Sequence, residues 1–126
     1  MELEDYFKNG KVYIWKEKFA IINSKKPMPD SFALIQDKEN ITVIIDQSKI
    51  KEEDIIGIEK DFKILTFDMT IDFGLVGFSA KVSKALADKK VSSFIISAYS
   101  TDHILVKEKD LEKTKKALEE LGCVMG

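Results

Sequence analysis

The stretch KILTFDMTIDFGLVGFSAKVSKALADKKVSSFIISAYSTDHILV, residues 63–106, passes from a hydrophobic period of two to a period of 3.6 and back. Leu65, Phe67, Met69 and Ile71 alternate with Thr66, Asp68 and Thr70, which predicts a half-buried strand. Phe78, Val82, Ala85 and Leu86 then fall on one stripe of an amphipathic helix. Asp72, Gly74 and Gly77 stand just ahead of that stripe and predict a sharp strand-to-helix turn. VSSFIISAY and HILV, rich in β-branched residues, read as two strands with SAYSTD as the bend between them.

Reading outward from there, KDLEKTKKALEELG sets Leu111, Thr114, Leu118 and Leu121 at helical spacing. Asp110 is the expected N-cap and Gly122 the expected stop. CVMG at the end reads as the stub of a last strand. The order β-α-β-β-α predicts an α+β protein, the split βαβ of a ferredoxin-like sandwich with an antiparallel sheet covered by helices.

The first half is less regular. KVYIWKEKFAII reads as one long strand or a hairpin, and Pro27 and Pro29 break the chain after it. FALIQDKENITVIID reads as two strands around the polar turn Asp37-Lys38-Glu39-Asn40. SKIKEEDIIGIEKD, dense in charge, reads as a short helix or linker. Such a strand-rich half cannot close a core alone, so the two halves are expected to pack together or share strands.

The whole chain sets outer bounds. At 126 residues, with 44% hydrophobic and 33% charged residues, it reads as an ordinary globular protein. No stretch approaches the ~20 apolar residues of a membrane span, and the acidic, polar start is unlike a signal peptide. The single cysteine, Cys123, excludes an intramolecular disulfide, so a cytoplasmic location is expected. A net charge of −2 with interleaved signs argues against nucleic-acid binding. All 20 basic residues are lysine. Without a guanidinium fork, a ligand anion must be held by backbone N–H groups, hydroxyls or a lysine point charge.

Catalytic and metal signatures are missing: there is no C-x-x-C, H-E-x-x-H, Walker-type loop or G-x-S-x-G. One histidine and one cysteine do not make a structural zinc site. Asp102 and His103 point to opposite faces of one strand, so a Ser-His-Asp triad is not expected. No enzyme activity, cofactor or metal is expected.

Residues 74–118, GLVGFSAKVSKALADKKVSSFIISAYSTDHILVKEKDLEKTKKAL, resemble the ACT domain family, and more narrowly its stand-alone tandem group that includes CASTOR-like amino-acid sensors. Gly77 stands nine residues before Leu86-Ala87, and Ile96 to Val106 is similar to that group's I-S-T-Y/F-x-x-D-x-x-L-V strand. The likeness covers roughly residues 63 to 121, and FALIQDKENITVII is similar to the strand pair of that group's first unit. Ala98 replaces the group's threonine, and Asn40 stands where a glutamate is frequent. The resemblance implies two ACT-like units in tandem, 1–61 (degenerate and strand-rich) and 62–126. It implies a cytoplasmic, non-catalytic homodimer that binds a free amino acid or small zwitterion between ACT units and signals to a regulated protein. Carried over residue by residue, it assigns ligand contact to Val76, Gly77 and Phe78 at the turn and to Ala98, Tyr99 and Asp102 at the hairpin.

Each of these residues also has a plainer role. Gly77 opens helix N–H groups to a ligand carboxylate, or only lets helix and sheet approach closely. Asp102 accepts from a ligand ammonium, or from turn N–H groups. Tyr99 stacks on a ligand, or is a sheet aromatic with its hydroxyl at the surface. His103 reads as structural or exposed, Cys123 as inert, and Trp15 as core or dimer contact. The alternative function is a ligand-free assembly module of the same fold. A small ferredoxin-like phosphatase is disfavoured because the chain has no arginine for a phosphate loop.

Overall fold

The computed structural model describes residues 2–126. The elements in chain order are α1 (Leu3–Phe7), β1 (Lys11–Ile14), β2 (Phe19–Ser24), β3 (Ala33–Gln36), β4 (Ile41–Asp46), β5 (Ile55–Phe67), α2 (Phe78–Asp88), β6 (Ser93–Ser97), β7 (Asp102–Lys107), α3 (Leu111–Leu121) and β8 (Val124–Met125). From β5 onward this is the βαββαβ order expected of the ferredoxin-like ACT fold. The chain divides into two compact units, one made of the chain up to Trp15 with Lys63–Gly126, the other of Lys16–Phe62.

In the larger unit the strand order is β8-β1-β5-β7-β6. β1 runs antiparallel to the end of β5 and parallel to β8, and β6 pairs antiparallel with β7. Val12, Leu65, Phe67, Ile104 and Val106 on these strands share one core with Phe78, Val82 and Leu86 of α2 and Ala117 and Leu118 of α3. The predicted stripes are therefore the buried ones. Three phenylalanines lock the centre. Phe7 stacks on Phe78 with centroids 4.8 Å apart, and Phe67 meets Phe78 edge-on at 4.9 Å. Both long helices end in the paired backbone bonds of a Schellman motif, Val91 N–H to Leu86 O and Cys123 N–H to Leu118 O, each 3.0 Å. Gly122 supplies the left-handed residue after α3 (φ 111°), as expected of a stop. After α2 the same position is Lys90 (φ 61°), which a side chain tolerates less well.

In the smaller unit the strand order is β3-β4-β2-β5, antiparallel throughout, around Ala20, Ile22, Met28, Ile41, Val43 and Ile45. The predicted turn is present, with Asp37 N–H donating to Asn40 O at 2.8 Å. Among its described residues this unit has no α-helix, only the 3-10 turns Gln47–Lys49 and Glu52–Asp54.

Five expectations change. The first fifteen residues do not cluster with an N-terminal unit ending at 61 but with Lys63–Gly126, because Phe7 and Val12 belong to the larger unit's core. KVYIWKEKFAII is neither one strand nor a hairpin: β1 and β2 pair separately with different parts of β5, interrupted at the charged Lys16-Glu17-Lys18. IIGIEKD is strand, not linker. It is exposed over Ile56 to Asp61, so its pattern carried no burial signal, and register shifts in its pairing with β2 blur it further. Residues 63–67 are buried on both faces rather than one, and the strand stops at Phe67 rather than Ile71. Thr66 tolerates that burial because Trp15 Nε1–H donates to its Oγ1 at 2.8 Å and His103 Nδ1 lies 2.8 Å away on the same oxygen. Asp110 occupies the N-cap of α3, but its side chain makes no capping bond. The 3-10 turn Glu108–Asp110 leads into the helix instead, and buried Thr114 bonds back to Asp110 O at 2.9 Å.

Candidate functional site

Between the end of β5 and the start of α2 the chain leaves regular structure for residues 68–77. Two bonds tie the β5 end of this loop to the β6–β7 bend. Ile71 N–H donates to Ser100 O at 2.8 Å, and the Thr101 hydroxyl donates to Phe67 O. The loop, the first turn of α2 and the bend thus wall one cavity of about 250 Å³. All its lining residues lie within Lys63–Gly126.

Five of the six predicted residues line it: Gly77, Phe78, Ala98, Tyr99 and Asp102. Val76 does not. It is 85% exposed and lies outside the lining. Gly77 sits at the N-cap of α2 with φ 95°, a left-handed conformation that side chains rarely adopt. A Cβ there would meet only Leu3 Cδ2, at an ordinary 3.4 Å. Conformation, not crowding, is what demands glycine. No side chain caps α2. The N–H groups of its first turn have no intrahelical partners, and they lie at the positive end of the helix dipole.

Asp102 opens β7 on the strand face that looks toward the helices, with Ile104 and Val106. It is only 8% exposed, yet among the described residues no group donates a hydrogen bond to its carboxylate. Its oxygens are not sealed off, since they are not among the fully buried polar atoms that lack a partner; they border the cavity, where water or a ligand can donate to them. His103 points to the opposite face. Burial holds its imidazole below the ordinary value, while the charge of Asp102 opposes that shift.

The sequence reading missed several lining residues, Asp72, Phe73 and Thr101 among them. Asp72 accepts a long 3.3 Å bond from the Tyr6 hydroxyl. Burial, with the Asp72 charge second, raises the Tyr6 phenol above its ordinary value. Phe73 and Tyr99 meet edge to face with centroids 4.9 Å apart, though they are 77% and 83% exposed. Tyr99 was among the predicted contacts, but only the loop-to-bend bonds bring Phe73 to it.

A larger groove of about 670 Å³ lies between the outer sides of α2 and α3. Its charges already satisfy one another, as in Lys84–Asp88 at 3.1 Å and Lys89–Glu120 at 2.7 Å, and it presents no buried polar group in need of a partner. Among the described residues no cluster could hold a metal ion, and no helix is long and apolar enough to cross a membrane. Cys123 is buried, and burial pushes its thiol up to about 11. Its alkylation by iodoacetamide at pH 8 is expected to run roughly a hundredfold slower than that of a free thiol, since only the thiolate reacts. A rate equal to that of the unfolded protein would contradict the packing described.

The model of one protein family, the ACT domain, matches residues 57–120. Among solved structures, a protein of Agrobacterium tumefaciens superposes with a TM-score of 0.80 at 19% identity, covering 94% of this chain and 92% of that one. A protein of unknown function from Vibrio cholerae gives 0.76 at 21% identity, covering 96% of both. The ligand-free regulatory subunit of aspartate kinase from Thermus thermophilus gives 0.65 at 11% identity, covering 90% and 99%. At such identities these likenesses speak for the fold alone. With half of its length matched by the family's model and the βαββαβ order complete from β5 to β8, the chain belongs to the ACT domain family.

Proposed function

We propose that this protein is a regulatory sensor that binds a free amino acid in the cavity between the α2 turn and the β6–β7 bend. ACT domains are regulatory modules for small ligands, and aspartate kinase regulatory chains share the fold. The observation that carries the reading is Asp102: a residue only 8% exposed whose carboxylate has no protein donor among the described residues and opens on the same cavity as an uncapped helix start. The two features have opposite electrostatic preferences, as the two ends of a zwitterion do. The first-turn N–H groups of α2 take the ligand carboxylate, which suits a chain with no arginine. Asp102 takes the ammonium through charge-assisted bonds. Phe78 floors the site, and Ala98 and Tyr99 bound it on the hairpin side.

Regulation follows by linkage. A ligand that binds one arrangement of the protein more tightly shifts the population toward it, and a partner reads that shift. Micromolar to millimolar affinity, about 4 to 8 kcal/mol, suits metabolite sensing. The four-stranded unit of Lys16–Phe62 serves in this proposal as a degenerate second ACT-like unit, and the chain works as a cytoplasmic homodimer within the CASTOR-like tandem group.

Calorimetric titration of the protein with each of the twenty amino acids tests the reading. Heat of binding with at least one of them is expected. Silence from all twenty, with the protein folded, would overturn the sensor reading in favour of a ligand-free assembly module.

A further inference from the structure

We infer that Tyr6 is a positioning residue for this site: it holds the middle of the loop 68–77 from outside the cavity and touches no ligand itself. This deepens the function proposed above and rests on it. Asp72, Phe73 and Leu75 line the ligand cavity. The same three residues line a second hollow of about 440 Å³, which Tyr6 and Gly74 complete. The loop thus borders two hollows and has little packed against it; a Cβ at Gly74 would meet nothing within 4 Å. Its β5 end is tied to the hairpin bend through Ile71 and Ser100, and its far end runs into α2 at Phe78. Between those ends the Tyr6 hydroxyl donates to Asp72 Oδ2 at 3.3 Å, across 66 residues of chain. Tyr6 is not part of the cavity lining.

Tyr6 can hold the loop because α1 is itself fixed. Phe7 is 1% exposed and stacks on Phe78 at 4.8 Å, and the Tyr6 ring meets Phe78 edge-on at 6.5 Å. Glu4 Oε1 lies 3.8 Å from Lys81 Nζ of α2. The corner after α1 is equally close to the loop: a Cβ at Gly10 would collide with Tyr6 O and Met69 Cε, and Lys11 O accepts from Asp68 N–H at 2.8 Å. One short helix therefore bears on both the loop and the helix start that wall the cavity. It does so from outside residues 57–120, the part matched by the family's model. A loop with few contacts samples several arrangements, and a ligand that binds one of them loses affinity by the fraction of time spent in the rest. The Tyr6 bond raises the competent fraction.

Tyr6→Phe makes the test, since it keeps the ring against Phe78 and removes only the hydroxyl. The Leu75 amide donates to Asp72 O at 3.1 Å within the loop. In the free variant its hydrogen exchange is expected to run about three- to tenfold faster, with the Val91 and Cys123 amides at the helix stops unchanged. Calorimetric titration of the full chain with an equimolar mixture of the twenty amino acids should show an apparent affinity about three- to tenfold weaker. In an Asp72→Ala background the same substitution should change neither reading, whereas a general structural effect of Tyr6 would persist there. Unchanged Leu75 exchange or unchanged affinity in Tyr6→Phe, or an equal loss of affinity in both backgrounds, would overturn this inference and leave the amino-acid site standing. Binding of none of the twenty amino acids to the unaltered protein would overturn both.

Discussion

Asp102→Asn is expected to weaken amino-acid binding by about 10- to 100-fold while leaving the unliganded protein about as stable as before. The two halves of this expectation share one cause. The residue is only 8% exposed, but its carboxylate opens on the cavity, so water serves it in the free protein and a ligand ammonium replaces that water in the complex. Asparagine keeps the shape and removes the charge. The free protein loses only a hydrated charge, and the complex loses a charge-assisted bond. Titration calorimetry and thermal melting, with and without ligand, read the two effects separately. A variant that melts several degrees lower without ligand would mean that Asp102 holds the fold rather than a ligand. Unchanged affinity would remove it from the site.

Phe78→Ala is expected to cost about 3–5 kcal/mol of stability. Against a total of roughly 5–15 kcal/mol for a domain, that is a large share, and the melting midpoint should fall by on the order of 10 °C. Phe78 stacks on Phe7 and meets Phe67 edge-on, so truncation leaves a void bounded by rings from α1 and β5 as well as α2. Phe78→Leu, which keeps most of the volume, should cost less than about 1.5 kcal/mol. Equal melting of the alanine variant and the parent, within about 2 °C, would show that the three-ring centre does not hold this unit together.

The same residue explains how far the site could be read in advance. Phe78 begins the helical stripe, and the glycine before it marks a strand-to-helix turn. Turn and stripe are local patterns, so the start of α2 was recognisable without coordinates. Asp102 was recognisable because a carboxylate interrupts an apolar strand. Val76, beside that turn, lies outside the cavity lining and is 85% exposed. Asp72 and Phe73 went unread because nothing local ties their loop to the hairpin bend. That tie is made by Ile71 to Ser100 and Thr101 to Phe67, each some thirty residues apart along the chain.

From Lys63 to the end, element order was already implicit in the amino acids. Hydrophobic period, helix stops and turn residues act over a few positions, and the helical stripes agree with the burial they meet in the larger unit, while the strand at 63–67 is buried on both faces. Strand partnership could not be inferred that way. β5 serves both units, its exposed first half pairing with β2 and its buried second half with β1 and β7. An exposed strand leaves no alternation to detect, and backbone hydrogen bonds between distant segments are indifferent to which side chains they carry. The cavity belongs to the same class of facts: two long-range backbone acceptors place a loop, and the loop places the charges.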